Sequence, residues 1–150
     1  GFAFGSLCIG LPTGFFEFQP VSSSVTEVTT TAVKLFIMPS LVEEAIFRVG
    51  LTPSPSVRQV SGVRGALPVR LAAVTAYVLY HPFQAWTYYP EGASVFLHPS
   101  FLALATTLGV ACDFLYTRTA SLWCPTLLHW SVVSVWLLLL GGKNKFQEKS

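Results

Sequence analysis

The chain has 150 residues, a net charge of +2, 52% hydrophobic residues and only 11% charged ones, with a mean hydropathy of +0.58. Soluble domains carry about 25% charged residues, so this composition belongs to the membrane class. The basic residues are too few and too scattered to form a nucleic-acid face.

One domain of this length has room for about five crossings at about 20 residues each, so the expected fold is all-α, a polytopic transmembrane helix bundle. There is no initiator Met, and Gly1 opens directly into apolar sequence, which reads as a processed or truncated chain. A first span is predicted over residues 1–18, Gly-rich and broken near Pro12. The polar stretch 19–30 is costly in hydrocarbon unless helical. A second span is predicted over residues 31–51, with a kink at Pro39, because proline removes a helical hydrogen bond and clashes with the preceding turn. Such a break at membrane depth needs protein or water around it.

Residues 52–69 hold Pro53, Pro55, Gly62, Gly65 and Pro68 together with Arg58 and Arg64, and are predicted as a loop. Further spans follow over 70–89, 96–116 and 122–140, the last closed by Gly141 and Gly142, with a polar tail over 143–150. The positive-inside rule puts Arg58, Arg64 and Arg118 on one side, opposite Glu27 and Glu91. Five spans then leave Lys143, Lys145 and Lys149 on the other side, so tail charge and span count pull in different directions. Cys8, Cys112 and Cys124 lie far apart in apolar runs without a C-x-x-C pair. They read as buried thiols rather than a disulfide framework or zinc ligands.

The ionisable residues inside the predicted spans are Lys34, Glu43, Glu44, Arg48, His81, Asp113 and His129. A charge at the bilayer centre costs about 2.5–3.5 kcal/mol even on the lenient insertion scale, so an adjacent acid pair with an arginine calls for a function. On a helix Glu44 and Arg48 are neighbours four apart, which leaves Glu43 with a free carboxylate. A carboxylate facing two imidazoles in a small wet cavity suits polarisation of water, and hence hydrolysis. The competing structural reading takes Ser40-Leu41-Val42-Glu43 as a capping box after Pro39 and each histidine as a packing residue. Glu43, His81 and His129 also match the ligand count of a catalytic zinc. No H-E-x-x-H pair accompanies them, and zinc is the disfavoured alternative to a site without metal. Asp113 is expected to pair with Arg118 at a helix end, Lys34 to snorkel, and His98, before Pro99, to face solvent.

Taken together, Glu43-Glu44-x-x-x-Arg48, the aromatic-x-x-x-His of Tyr77 to His81, and the later His129 resemble the three motifs of the CPBP intramembrane protease family. That family includes the type II CAAX prenyl endopeptidases and enzymes linked to bacteriocin processing. The resemblance covers about residues 35–142. Its context, from Pro39 to Arg48, Tyr80-His81-Pro82, and Ser121 to Trp130, is most similar to the cyanobacterial and plastid branch, which implies a thylakoid or related membrane.

The resemblance implies Glu43 as general base on the attacking water, His81 as a residue that helps hold that water, and His129 as an oxyanion stabiliser. It implies supporting roles for Glu44 and Arg48, and no cofactor. Tyr77 stands where the family usually has Phe, and Val133 stands where the pattern His-x-x-x-Asn continues. Loss of one oxyanion donor is worth about 2.7–4 kcal/mol; Ser131, Ser134 and Gln84 are the candidate replacements.

The expected partners are membrane lipids and a membrane-anchored or lipid-linked polypeptide substrate, with no nucleic acid. The alternative is a weak or inactive relative serving as a scaffold or assembly subunit of a larger, photosynthetic membrane complex, for which Val133 and the many aromatics speak. A transporter is disfavoured, because the ionisable groups form one cluster and no repeat is visible.

Overall fold

A computed structural model describes residues 13–53 and 55–147, with backbone alone for 55–65 and 147. Among them every regular element is helical. The first helix, α1 (Val25–Leu35), starts at a capping box: the Ser24 Oγ accepts from the Glu27 amide at 3.3 Å, and the Ser24 amide donates to the Glu27 carboxylate at 2.9 Å. The capping box considered at Ser40 is not formed, since the Ser40 hydroxyl is buried without a hydrogen-bond partner. That frees Glu43 from a capping role.

The kink expected at Pro39 is present. Proline disfavours helical backbone at the residue before it, and Met38 accordingly adopts φ −128°, ψ 120°. A wide, π-helical turn over Phe36–Leu41 absorbs the break. It is followed by the short α2 (Val42–Glu44) and a second π-helical turn, Ala45–Gly50. The Thr52 hydroxyl donates to the Phe47 carbonyl at 3.0 Å and closes this segment. Wide turns of this kind are frequent at functional sites.

The loop predicted over 52–69 is a correction: most of it belongs to a helix of 33 residues, α3 (Pro55–Thr87). Pro55 takes the first helical position, where its missing N–H costs nothing, and Pro68 and Pro82 are carried inside the helix. The third predicted span is thus the second half of α3. A 3-10 turn (Pro90–Gly92) and the short α4 (Ala93–Phe96) lead to α5 (Pro99–Thr119), α6 (Trp123–Leu139) and α7 (Gly142–Gln147).

The first predicted span is also corrected where it is described. Residues 15–19 run without helix, and the amides of Glu17, Gln19 and Val21 donate to the carbonyls of Leu140, Leu139 and Leu138 at 3.4, 3.0 and 3.0 Å. They satisfy carbonyls that the end of α6 leaves without helical partners. Residues 1–12, with Cys8, lie outside the described residues.

Among the described residues two segments are long and apolar enough to cross a membrane, Val25–Gly50 and Pro99–Thr119, with Trp123–Leu139 apolar but shorter. The five-span expectation is therefore met as an all-helical fold and not as a span count. The distribution of side chains is inverted relative to a water-soluble domain. Trp86, Val110, Phe114 and Leu127 are exposed while Glu43, Glu44 and Arg48 are buried.

Helix α5 packs against both α3 and α6, and α6 against the turn Phe36–Leu41. Gly109 on α5 lets the Tyr77 ring of α3 approach, for a Cβ there would lie 2.9 Å from Tyr77 Cδ1. Trp130 Nε1 donates to the Ala32 carbonyl at 2.8 Å and ties α6 to α1. Asp113 pairs with Arg70 of α3, whose Nε and Nη2 donate to its Oδ2 at 3.0 and 2.5 Å. The pairing expected with Arg118 is overturned: that guanidinium lies over the Phe114 ring, 5.2 Å from its centroid. Lys34 and His98 are exposed as expected, and His98 also caps α5 by accepting from the Ser100 amide at 3.2 Å.

Candidate active site

Both carboxylates come from α2, framed by the two wide turns, and they part company at once. Glu44 is fully buried and has both oxygens engaged: Arg48 Nε donates to Oε2 at 2.7 Å, and His129 Nδ1 to Oε1 at 3.0 Å. The ion pair four residues apart is the one expected from spacing. A carboxylate only accepts, so its contact fixes the hydrogen of His129 on Nδ1 and leaves Nε2 facing outward. A buried acid orienting an imidazole is the arrangement that supports acid, base and oxyanion chemistry at the far nitrogen.

Glu43 points elsewhere. Its Oε2 is buried without a hydrogen-bond partner and lies 3.9 Å from His129 Nε2. That separation exceeds direct hydrogen-bond reach, yet one water molecule could touch both atoms.

His81 is 6% exposed and is oriented by its own helix. Pro82 has no N–H to offer the Val78 carbonyl, which the His81 imidazole contacts, while His81 Nδ1 donates to the Tyr77 carbonyl at 3.1 Å. A carbonyl also only accepts, so Nε2 of the neutral ring is the open nitrogen. Tyr77 stands between the histidines, edge-on to both, with centroids 5.2 Å from His81 and 6.0 Å from His129. The Arg48 guanidinium lies over its face at 5.1 Å. Glu43, Glu44, Arg48, Tyr77, His81 and His129 thus meet in one place.

Glu43, His81 and His129 line a cavity of about 1210 Å³ whose wall is otherwise largely aromatic and aliphatic. Val133, one helical turn beyond His129, lines it too, as does Gln84. Among the described residues no group of three or more His, Cys, Asp or Glu side chains is placed to hold a metal ion.

Three supporting residues escaped the sequence reading. Gly109 gives Tyr77 its room. Cys112, fully buried, donates to the Pro125 carbonyl at 3.6 Å and contacts Glu44 and Arg48. Arg70 neutralises Asp113. A signal existed for the first two: Ala105, Leu108, Gly109, Cys112 and Tyr116 recur at helical spacing as the buried face of α5, the small-residue face that lets membrane helices approach.

An all-helical chain with charges inside and apolar groups outside defines a helical membrane protein, here with an acid and two imidazoles on one cavity wall. The family model described as type II CAAX prenyl endopeptidase Rce1-like matches residues 26–135, and the chain belongs to that family, a membrane-integral protease family. The CPBP kinship expected from the motifs accordingly holds. No curated protein and no solved structure matches the chain.

Proposed function

We propose that the protein is an intramembrane endopeptidase that hydrolyses peptide bonds of membrane-anchored or lipid-linked polypeptides. The observation that carries this reading is the unpartnered Glu43 Oε2, buried at the wall of a large apolar cavity and 3.9 Å from His129 Nε2. Glu43 takes a proton from water as the water oxygen attacks the carbonyl carbon, and His81 Nε2 helps hold that water. The carbonyl π pair moves onto oxygen, where His129 stabilises the charge through a proton carried on Nε2 in addition to the one on Nδ1, with Glu44 and Arg48 fixing the imidazole and Tyr77 packed against both rings. Collapse restores the carbonyl, breaks the C–N bond, and returns the proton from Glu43 to the leaving amine.

The motif contexts around Arg48, His81 and His129 support the cyanobacterial and plastid branch, and with it a multi-pass protein of a thylakoid or related membrane. The test of catalysis is Glu43→Gln in purified protein, assayed on a lipid-anchored peptide in liposomes. Removal of a general base costs about 10²–10⁴-fold in rate, and cleavage undiminished by this change would reject the assignment.

A second reading rests on Val133, an apolar residue on the cavity wall one turn from His129: a non-catalytic member that serves as scaffold or assembly subunit of a larger, photosynthetic membrane complex. Under it, Glu43→Gln leaves complex assembly intact and no cleavage is detected in the parent protein.

A further inference from the structure

Any hydrolysis of a peptide bond at Glu43 develops negative charge on the former carbonyl oxygen, and donors aimed at that oxygen are worth far more in a water-poor site than in water. Three side chains near Val133 or the cavity carry suitable hydrogens, and the structure separates them. The Ser131 hydroxyl spends its single hydrogen on the Leu127 carbonyl at 2.7 Å. Ser134 is absent from the cavity wall, which Gln84 lines together with Glu43, His81 and His129.

Gln84 sits three residues after His81 on α3, on the same helical face. Its amide contacts both the Glu43 carboxylate and the Tyr80 hydroxyl. Chemistry fixes which end faces which. A carboxylate accepts only, so the NH2 group faces Glu43, and its contact with Tyr80 is likewise that of a donor to the phenolic oxygen. The Tyr80 oxygen also accepts from the Tyr88 hydroxyl at 2.6 Å. Glu43 and Tyr80 therefore keep the amide nitrogen turned to the place where Glu43 would deliver water.

Resting on the endopeptidase reading above, we infer that Gln84 is a further catalytic residue, whose amide N–H donates to the oxyanion formed when Glu43-activated water attacks the peptide carbonyl. The NH2 group has two hydrogens, so one remains on Glu43 while the second turns from Tyr80 to the oxygen. Position 133, which lines the same cavity from α6, carries a valine that has no hydrogen to give.

The experiment uses the full chain in liposomes with a lipid-anchored peptide, comparing Gln84→Met, Gln84→Ala, Glu43→Gln and the double variant Gln84→Ala/Val133→Asn. Both Gln84 variants are expected to lose about 100-fold in kcat, as for removal of one oxyanion donor, with KM changed less than about threefold. The double variant is expected to recover at least about tenfold over Gln84→Ala, because an amide at 133 supplies a donor to the same cavity from α6. A kcat within about twofold of the parent, or a loss confined to KM, overturns the role of Gln84.

If Glu43→Gln cleaves as well as the parent, or the parent cleaves nothing, it is the endopeptidase reading that fails. Affinity for a tetrahedral phosphonamidate peptide then decides Gln84 separately. Gln84→Met is expected to weaken that mimic at least about tenfold more than the matching uncleaved peptide, as for a donor that acts on the tetrahedral species. Equal affinities overturn the inference.

Discussion

His129 Nδ1 stands 3.0 Å from Glu44 Oε1, an imidazole and a carboxylate joined across 85 positions of sequence. Because Arg48 holds the other oxygen of the same carboxylate, α6 is oriented against α2 through a buried chain of arginine, acid and imidazole. In the proposed mechanism Glu44 organises the site, and its neighbour Glu43 is left free to act.

Removing the organiser should therefore cost stability as well as activity. Glu44→Ala leaves the Arg48 guanidinium buried without its counter-charge, a change worth about 3–5 kcal/mol. Thermal unfolding in detergent is expected to show a large fall for Glu44→Ala and a smaller one for Glu44→Gln, which keeps an acceptor. Glu43→Gln should melt close to the parent, and equal melting of all three would refute the division of labour.

The close approach of α5 to α3 depends on a missing side chain. An alanine at Gly109 puts a Cβ 2.9 Å from the Tyr77 ring, and that ring packs edge-on against both His81 and His129. Overpacking of this kind costs about 1–3 kcal/mol. Gly109→Ala is expected to lower both the melting temperature and the cleavage rate, and parent-like values for both would show that Tyr77 can yield without disturbing the histidines.

Much of this site was legible in the chain. Three motifs with ionisable side chains in apolar surroundings named Glu43, Glu44, Arg48, His81 and His129, because charge in such a setting is expensive. The Glu44 pairing with Arg48 followed from helical spacing alone, and the kink followed from Pro39. Partners distant in sequence were not legible: spacing along α5 suggested Arg118 for Asp113, whereas packing of α3 brings in Arg70, 43 residues away. The prolines of 52–69 misled for a related reason. Proline breaks a helix in its interior but suits its first turn, and local sequence around Pro55 does not say which case applies.

The Arg70 pairing makes its own prediction. Asp113 is largely buried and Arg70 partly so, and hydrogen bonds to charged groups contribute about 1.5–3 kcal/mol. Asp113→Ala and Arg70→Ala should each destabilise by that order, and the double change by little more than either alone. Arg118→Ala should cost about 0.5 kcal/mol or less. Full additivity of the Asp113 and Arg70 changes, measured in a thermal double-mutant cycle, would show that the pair is not energetically coupled.

The residue after His81 offers a way to separate stability from activity. Pro82 inside α3 withholds an N–H from the Val78 carbonyl, and the imidazole of His81 contacts that carbonyl while donating to Tyr77. An alanine at 82 restores the backbone donor, which stabilises a helix interior by up to about 3 kcal/mol. It also competes with the His81 imidazole for the Val78 carbonyl that helps fix the ring. Pro82→Ala is thus expected to raise the melting temperature while lowering kcat on the lipid-anchored peptide. A gain in both would mean that His81 is held by the Tyr77 carbonyl alone, and a loss in both would mean that the proline is needed for the path of α3 rather than for the angle of the imidazole.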